Sequence, residues 1–124
     1  MLRRSLVSVV DDDESVRESL PDFLRSFGHE VWAFASADEF LQCAESLDRT
    51  GCLILDVAMP GMSGPELQQE LAKRHRNIPV VFITAHSDGA VIRQVLMRGA
   101  VACLSKPFSE NALLDAVMAA LGRH

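Results

Sequence analysis

Five short apolar runs, at 5–10, 30–34, 52–55, 79–83 and 101–104, alternate with longer segments whose apolar residues recur every three or four positions. This alternation constrains the fold more than any other feature of the chain. Parallel strands cannot be joined by a tight turn, and an intervening helix provides the crossover while covering one face of the sheet. The runs at 52–55 and 79–83 are nearly continuous in apolar residues, as strands buried on both faces should be. The pattern predicts an α/β fold of five βα units, with a parallel five-stranded sheet between two helical layers. The 124 residues suit one domain over 1–124.

The helical segments carry their own stripes. Val16, Leu20, Phe23, Leu24 and Phe27 form the first, and Phe40, Leu41, Ala44 and Leu47 the second. Leu67 and Leu71 mark a third helix, Val91, Val95 and Leu96 a fourth, and Leu113, Leu114, Val117, Met118 and Leu121 a fifth. Starts are signalled by Ser36, by Ser63 ahead of Pro65-Glu66, by Ser87-Asp88 and by Ser109-Glu110; Gly28, Gly99 and Gly122 suit helix ends. Pro21 falls inside the first stripe, where it removes one backbone donor.

Charge and length exclude several functions. Twelve basic against seventeen acidic residues give a net charge of −5, which argues against direct nucleic-acid binding by this domain. No apolar stretch approaches the ~20 residues of a membrane span. The basic start Met1-Leu2-Arg3-Arg4 leads into a short apolar run that ends in acid, unlike a signal peptide. A soluble, cytoplasmic protein is expected. Cys43, Cys52 and Cys103 are odd in number and lack CxxC spacing, so neither a disulfide framework nor zinc is expected. Lys73-Arg74-His75-Arg76 reads as the cationic end of a helix.

In open α/β sheets, sites form beyond the carboxyl ends of the strands, where the strand order reverses. The first run is followed by Asp11, Asp12 and Asp13, the third by Asp56, the fourth by Thr84 and the fifth by Lys106. A flavodoxin-like strand order of 2-1-3-4-5 sets the first and third strands side by side. The acidic run then lies beside Asp56, with Thr84 and Lys106 to one side. Like charges about 4 Å apart repel by roughly 4 kcal/mol at an effective dielectric of 20, and no Lys or Arg lies close in sequence to neutralise Asp11 and Asp12. A divalent cation resolves the conflict: Mg²⁺ (or Mn²⁺) takes oxygen ligands and commonly one or two carboxylates plus a phosphate. A carboxylate nucleophile, a metal, a hydroxyl and a lysine together suit phosphoryl transfer. Asp13 and Glu14 read as solvated acids at a helix start, and Gly61 and Gly64 as backbone-shape residues of a turn; no GxGxxG or Walker pattern is present.

The segments "VVDDDE", "LILDVAMPGMSGPEL", "IPVVFITAH" and "AVACLSKPF", in this order and spacing, resemble the receiver domain of bacterial two-component response regulators over nearly the whole chain. They look most like the branch whose members often carry a C-terminal helix-turn-helix domain. The resemblance implies a flavodoxin-like (βα)5 three-layer sandwich. It implies that Asp56 accepts a phosphoryl group from a sensor histidine kinase. It assigns Mg²⁺ to Asp11, Asp12, Asp56 and the Ala58 backbone carbonyl, with Asp11 acting through a bound water. Thr84 and Lys106 would contact the phosphoryl group, and the Lys106–Pro107 bond would be cis. It points to a switching face, formed by the fourth helix, fifth strand and fifth helix, as a possible homodimer surface. Cys103 stands where relatives usually carry an aromatic relay residue, and the resemblance implies that Ala58 and His86 would flank the path of the hydrolytic water.

Two other functions are compatible with parts of the pattern. A phosphohydrolase of the haloacid-dehalogenase type would place a second Asp two residues after the nucleophile, where this chain has Ala58. A degenerate receiver used only for docking would not need the full set Asp11, Asp12, Asp56, Thr84 and Lys106.

Overall fold

The computed structural model describes residues 5–85 and 89–122. Its strands are β1 (Leu6–Val10), β2 (Val31–Phe34), β3 (Thr50–Asp56), β4 (Val80–Thr84) and β5 (Ala102–Ser105). They form one parallel sheet in the order β2-β1-β3-β4-β5. The helices are α1 (Glu14–Arg25), α2 (Ala37–Gln42), α3 (Ala44–Arg49), α4 (Gly64–Lys73), α5 (Gly89–Met97) and α6 (Glu110–Leu121).

Alternation along the central strands divides the interior into two cores. Val7 and Val9 of β1 and Cys52 and Ile54 of β3 face α1 and α6, where they meet Leu24, Leu113 and Val117. Val10, Leu53 and Leu55 point the other way and share a core with Phe40, Leu67, Phe82 and Val95. Every residue of β1, β3 and β4 is buried, in keeping with their largely apolar sequences. No helix among the described residues is long and apolar enough to cross a membrane.

Local chemistry sets the helix ends. The Asp13, Ser36, Ser63 and Ser109 side chains each accept a backbone N–H of the following turn, at α1, α2, α4 and α6. Gly28 and Gly99 take the positive φ expected after helices. The start signal at Ser87-Asp88 lies outside the described residues. Arg74 pairs with Glu70 at 2.8 Å and Arg76 with Asp48 at 2.5 Å, in keeping with a structural role for this basic run.

The second helical segment departs from expectation. It is two short helices joined at Cys43, whose φ of −96° and ψ of 94° are not helical. Ser46 Oγ lies 2.8 Å from the Cys43 carbonyl and 3.3 Å from that of Phe40, so its one hydroxyl proton is shared across the junction, where the Cys43 carbonyl also accepts the Leu47 N–H at 3.2 Å. Thr50 Oγ1 donates to the Ser46 carbonyl and lies 2.7 Å from Ser8 Oγ of β1, so a buried polar chain ties α3 to the sheet. Four residues of the expected stripes are also exposed: Phe27 lies beyond the end of α1, Ala44 begins α3, and Leu96 and Met118 face outward.

Candidate functional site

Because all five strands are parallel, their carboxyl ends share one edge. Asp11 follows β1, Asp56 closes β3, Thr84 closes β4 and Lys106 follows β5. Val10 is in register with Leu55, which sets Asp11 level with Asp56 on the neighbouring strand. Asp56 is in register with Ile83, one residue before Thr84.

The structure brings three of the expected acids together. One carboxylate oxygen each from Asp11, Asp12 and Asp56 lie within 4.8 Å of one another, a group that could hold a metal ion. Asp11 and Asp56 are buried and Asp12 is exposed. Asp11 Oδ1 accepts the Asp13 N–H at 2.9 Å, while Asp11 Oδ2 is buried with no hydrogen bond. Lys106 Nζ stands 3.5 Å from that oxygen. This is close enough for attraction but longer than the about 2.7–2.9 Å of a charge-assisted hydrogen bond. An all-oxygen donor set with an unsatisfied buried carboxylate oxygen fits a hard divalent cation.

The electrostatics agree. Burial pushes the Asp56 carboxyl from its ordinary 3.8 up to about 7; the Asp11 charge adds to the rise, Lys106 opposes it, and the charge and hydrogen bond of Asp12 raise it further. The site therefore penalises the charge that a nucleophilic Asp56 needs, and a cation among the acids would relieve the penalty. Asp13, by contrast, is held below its ordinary value by the Ser15 hydroxyl and N–H, as suits an exposed helix cap.

Thr84 is buried at the end of β4, and its carbonyl accepts the Lys106 N–H at 2.8 Å, which joins the two residues through the backbone. The Lys106–Pro107 peptide is cis, as expected. Ala58 is exposed in the bend after Asp56. His86 lies outside the described residues. Cys103 is half-buried, in register with Phe82, and burial raises its thiol pKa; Cys52 is fully buried and pushed up to about 12.

Two residues near the site carry more than the sequence suggested. Arg17 Nη1 donates to the Asp11 carbonyl at 2.9 Å, so a cation from the first turns of α1 does reach the acidic loop, although through its backbone. Spacing hints at this, since Arg17 lies one helical turn past Asp13. Gly64 donates its N–H to the Val57 carbonyl at 3.0 Å and brings α4 against the end of β3. No pattern in one sequence reveals that approach.

The response regulator receiver domain profile matches residues 7–118. Nodulation protein W of Bradyrhizobium diazoefficiens is 49% identical over 120 residues, which cover 97% of this chain and 52% of that protein. The transcriptional regulatory protein FixJ of Azorhizobium caulinodans is 44% identical over 117 residues, covering 94% and 55%. The chain thus spans about half the length of the curated relatives it matches. Among solved structures, the crystal structure of FixJ-N superposes with a TM-score of 0.89 at 34% identity and covers 99% of this chain and 98% of that one.

Proposed function

This chain belongs to the response regulator receiver domain family, and on that premise we propose that it is a single receiver domain, 1–124, that takes a phosphoryl group on Asp56 from a sensor histidine kinase. The observation that carries the reading is the gathering of Asp11, Asp12 and Asp56 within 4.8 Å beside Lys106. Asp11, Asp12, Asp56 and the Ala58 carbonyl would hold Mg²⁺ or Mn²⁺, which supplies charge neutralisation to phosphoryl oxygens. An Asp56 carboxylate oxygen bonds to phosphorus as the phosphorus–nitrogen bond to the kinase histidine breaks, and the leaving imidazole takes up a proton. Lys106 offsets the added negative charge, and Thr84 offers a hydroxyl donor to a phosphoryl oxygen.

The domain acts only on itself, in the cytoplasm, and its product is an altered surface. The face of α5, β5 and α6 is the output surface and the site of homodimerisation, with Met97 and Met118 exposed on its helices. Cys103 offers no aromatic ring to flip, so the relay runs through backbone and packing. The output is transcriptional, through a further domain or a partner, and this domain makes no direct contact with nucleic acid or membrane.

Incubation with Mg²⁺ and a small phosphodonor tests the reading. The expected result is one added phosphoryl group per chain, read by intact mass and absent in Asp56→Asn. Continuous release of phosphate would instead make the protein a hydrolase, and no mass change would leave only docking.

Lifetime follows from the same geometry. Hydrolysis needs a water in line with phosphorus, and Ala58, exposed beside Asp56, has no group to orient one. The Ala58→Asn variant should lose its phosphoryl group several-fold faster than wild type, short of the ~10²–10³ of a donor that contacts the transition state. Decay measured after removal of the donor decides this, and equal rates would mean that Ala58 does not set the lifetime.

A further inference from the structure

Gly64 is the buried first residue of α4. Its φ is not in the left-handed region, so the backbone conformation does not call for glycine. The space around it does. A Cβ at this position would lie 2.2 Å from the Asp56 carbonyl oxygen, 3.1 Å from the Asp56 carbonyl carbon and 3.0 Å from Phe82 Cε1. The first distance is far inside any carbon–oxygen contact, so either the helix or the strand would have to move. Neither is free. Asp56 ends a strand that is buried along its whole length, and the next residue, Val57, donates its N–H to the Ile83 carbonyl at 3.1 Å. The start of α4 is pinned by the reciprocal Ser63–Glu66 capping box and by the Gly64 N–H on Val57.

We propose that Gly64 is a positioning residue for the acidic site: its missing side chain lets α4 seat directly against the Asp56 peptide, and that seating holds the Asp56 carboxylate against Asp11 and Asp12. Gly64 touches no substrate and acts only through Asp56. The inference rests on the reading of Asp56 as phosphoacceptor and metal ligand. Its physical core, that a side chain at 64 displaces the Asp56 peptide, can be measured without metal or phosphate.

The two close contacts make separate predictions. If the crowding that matters is with the Phe82 ring, shortening that ring relieves it; if it is with the Asp56 carbonyl, nothing done at Phe82 helps. The test therefore compares wild type, Gly64→Ala, Gly64→Ala/Phe82→Leu, and Leu71→Ala as a destabilised control farther along α4. Metal-free protein is read first, by the NMR shifts of the Asp56 carbonyl carbon and the Val57 amide, and Mg²⁺ affinity is read second by titration. Gly64→Ala is expected to move both signals and to weaken Mg²⁺ by about 10–100-fold, the range seen when a group supporting a metal ligand is lost. The double variant should stay impaired, and Leu71→Ala should leave the Asp56 signals in place. Wild-type shifts and affinity in Gly64→Ala, or their return in the double variant, would overturn the proposal. Should Gly64→Ala alone not fold, the double variant decides, and wild-type Mg²⁺ affinity there overturns it. If wild type itself binds no Mg²⁺, the reading of the site fails, while the metal-free shifts still judge Gly64.

Discussion

Asp12→Ala is expected to abolish Mg²⁺ binding and phosphoryl uptake together while leaving the fold at least as stable as before. Asp12 is exposed, and substitutions at such positions usually change stability by no more than about 0.5 kcal/mol. Its carboxylate is nonetheless one of the three that converge within 4.8 Å. Losing it leaves Asp11 and Asp56, both buried, with Lys106 as the nearby cation. The same change has a second readout. The charge and hydrogen bond of Asp12 help raise the Asp56 pKa, so their removal should lower it from about 7 toward the ordinary 3.8. Calorimetric titration with Mg²⁺, a melting curve and a carboxyl-carbon NMR titration of Asp56 check the three parts. Wild-type Mg²⁺ affinity in Asp12→Ala would mean that the metal, if bound, sits elsewhere.

Asp56→Asn is expected to stabilise the metal-free protein at neutral pH, although it removes the residue proposed as phosphoacceptor. The folded pKa of Asp56 is about 7 against an ordinary 3.8. Between those values the folded state holds a proton that the unfolded state has released. Stability therefore falls as pH rises through that window, and the loss is complete above about 7. Three pH units at 1.36 kcal/mol each set an upper bound of about 4 kcal/mol. Solvent screening on the side where Asp12 is exposed reduces this, and the gain in Asn should be on the order of 2 kcal/mol above pH 7. For a domain of this size that is a rise in Tm of roughly 8 °C. The difference between variant and wild type should shrink towards zero near pH 4. Adding Mg²⁺ should raise the wild-type Tm and leave that of Asp56→Asn nearly unchanged. Melting curves from pH 4 to 8 measure this, and a variant less stable than wild type at pH 8 would show that Asp56 is not under charge strain.

Much of this was legible because the relevant signals are local. Strand-length apolar runs and side-chain caps announce the elements, and the carboxylates, Thr84 and Lys106 are recognisable because each directly follows or closes a strand. Parallel topology then gathers them without further information. The break at Cys43 was not legible, because neither glycine nor proline marks it. Ser46 and Thr50 brace that junction through partners that only the folded chain supplies. Phe27, Leu96 and Met118 continue apolar stripes yet face outward, since periodicity fixes a face but not how far the neighbouring layer extends. Arg17 and Gly64 were missed as parts of the site for a related reason. One reaches a backbone carbonyl rather than a carboxylate, and the other matters through an atom it lacks.

The most direct test of the central claim is to locate the phosphoryl group. Protein incubated with Mg²⁺ and a small phosphodonor would be trapped with borohydride, which reduces an acyl phosphate to an alcohol, and then digested and mapped by mass spectrometry. The account predicts reduction at residue 56 alone, dependent on Mg²⁺ and lost in Asp12→Ala. Trapping at Asp11, Asp12 or Asp13 with Asp56 unmodified would contradict it.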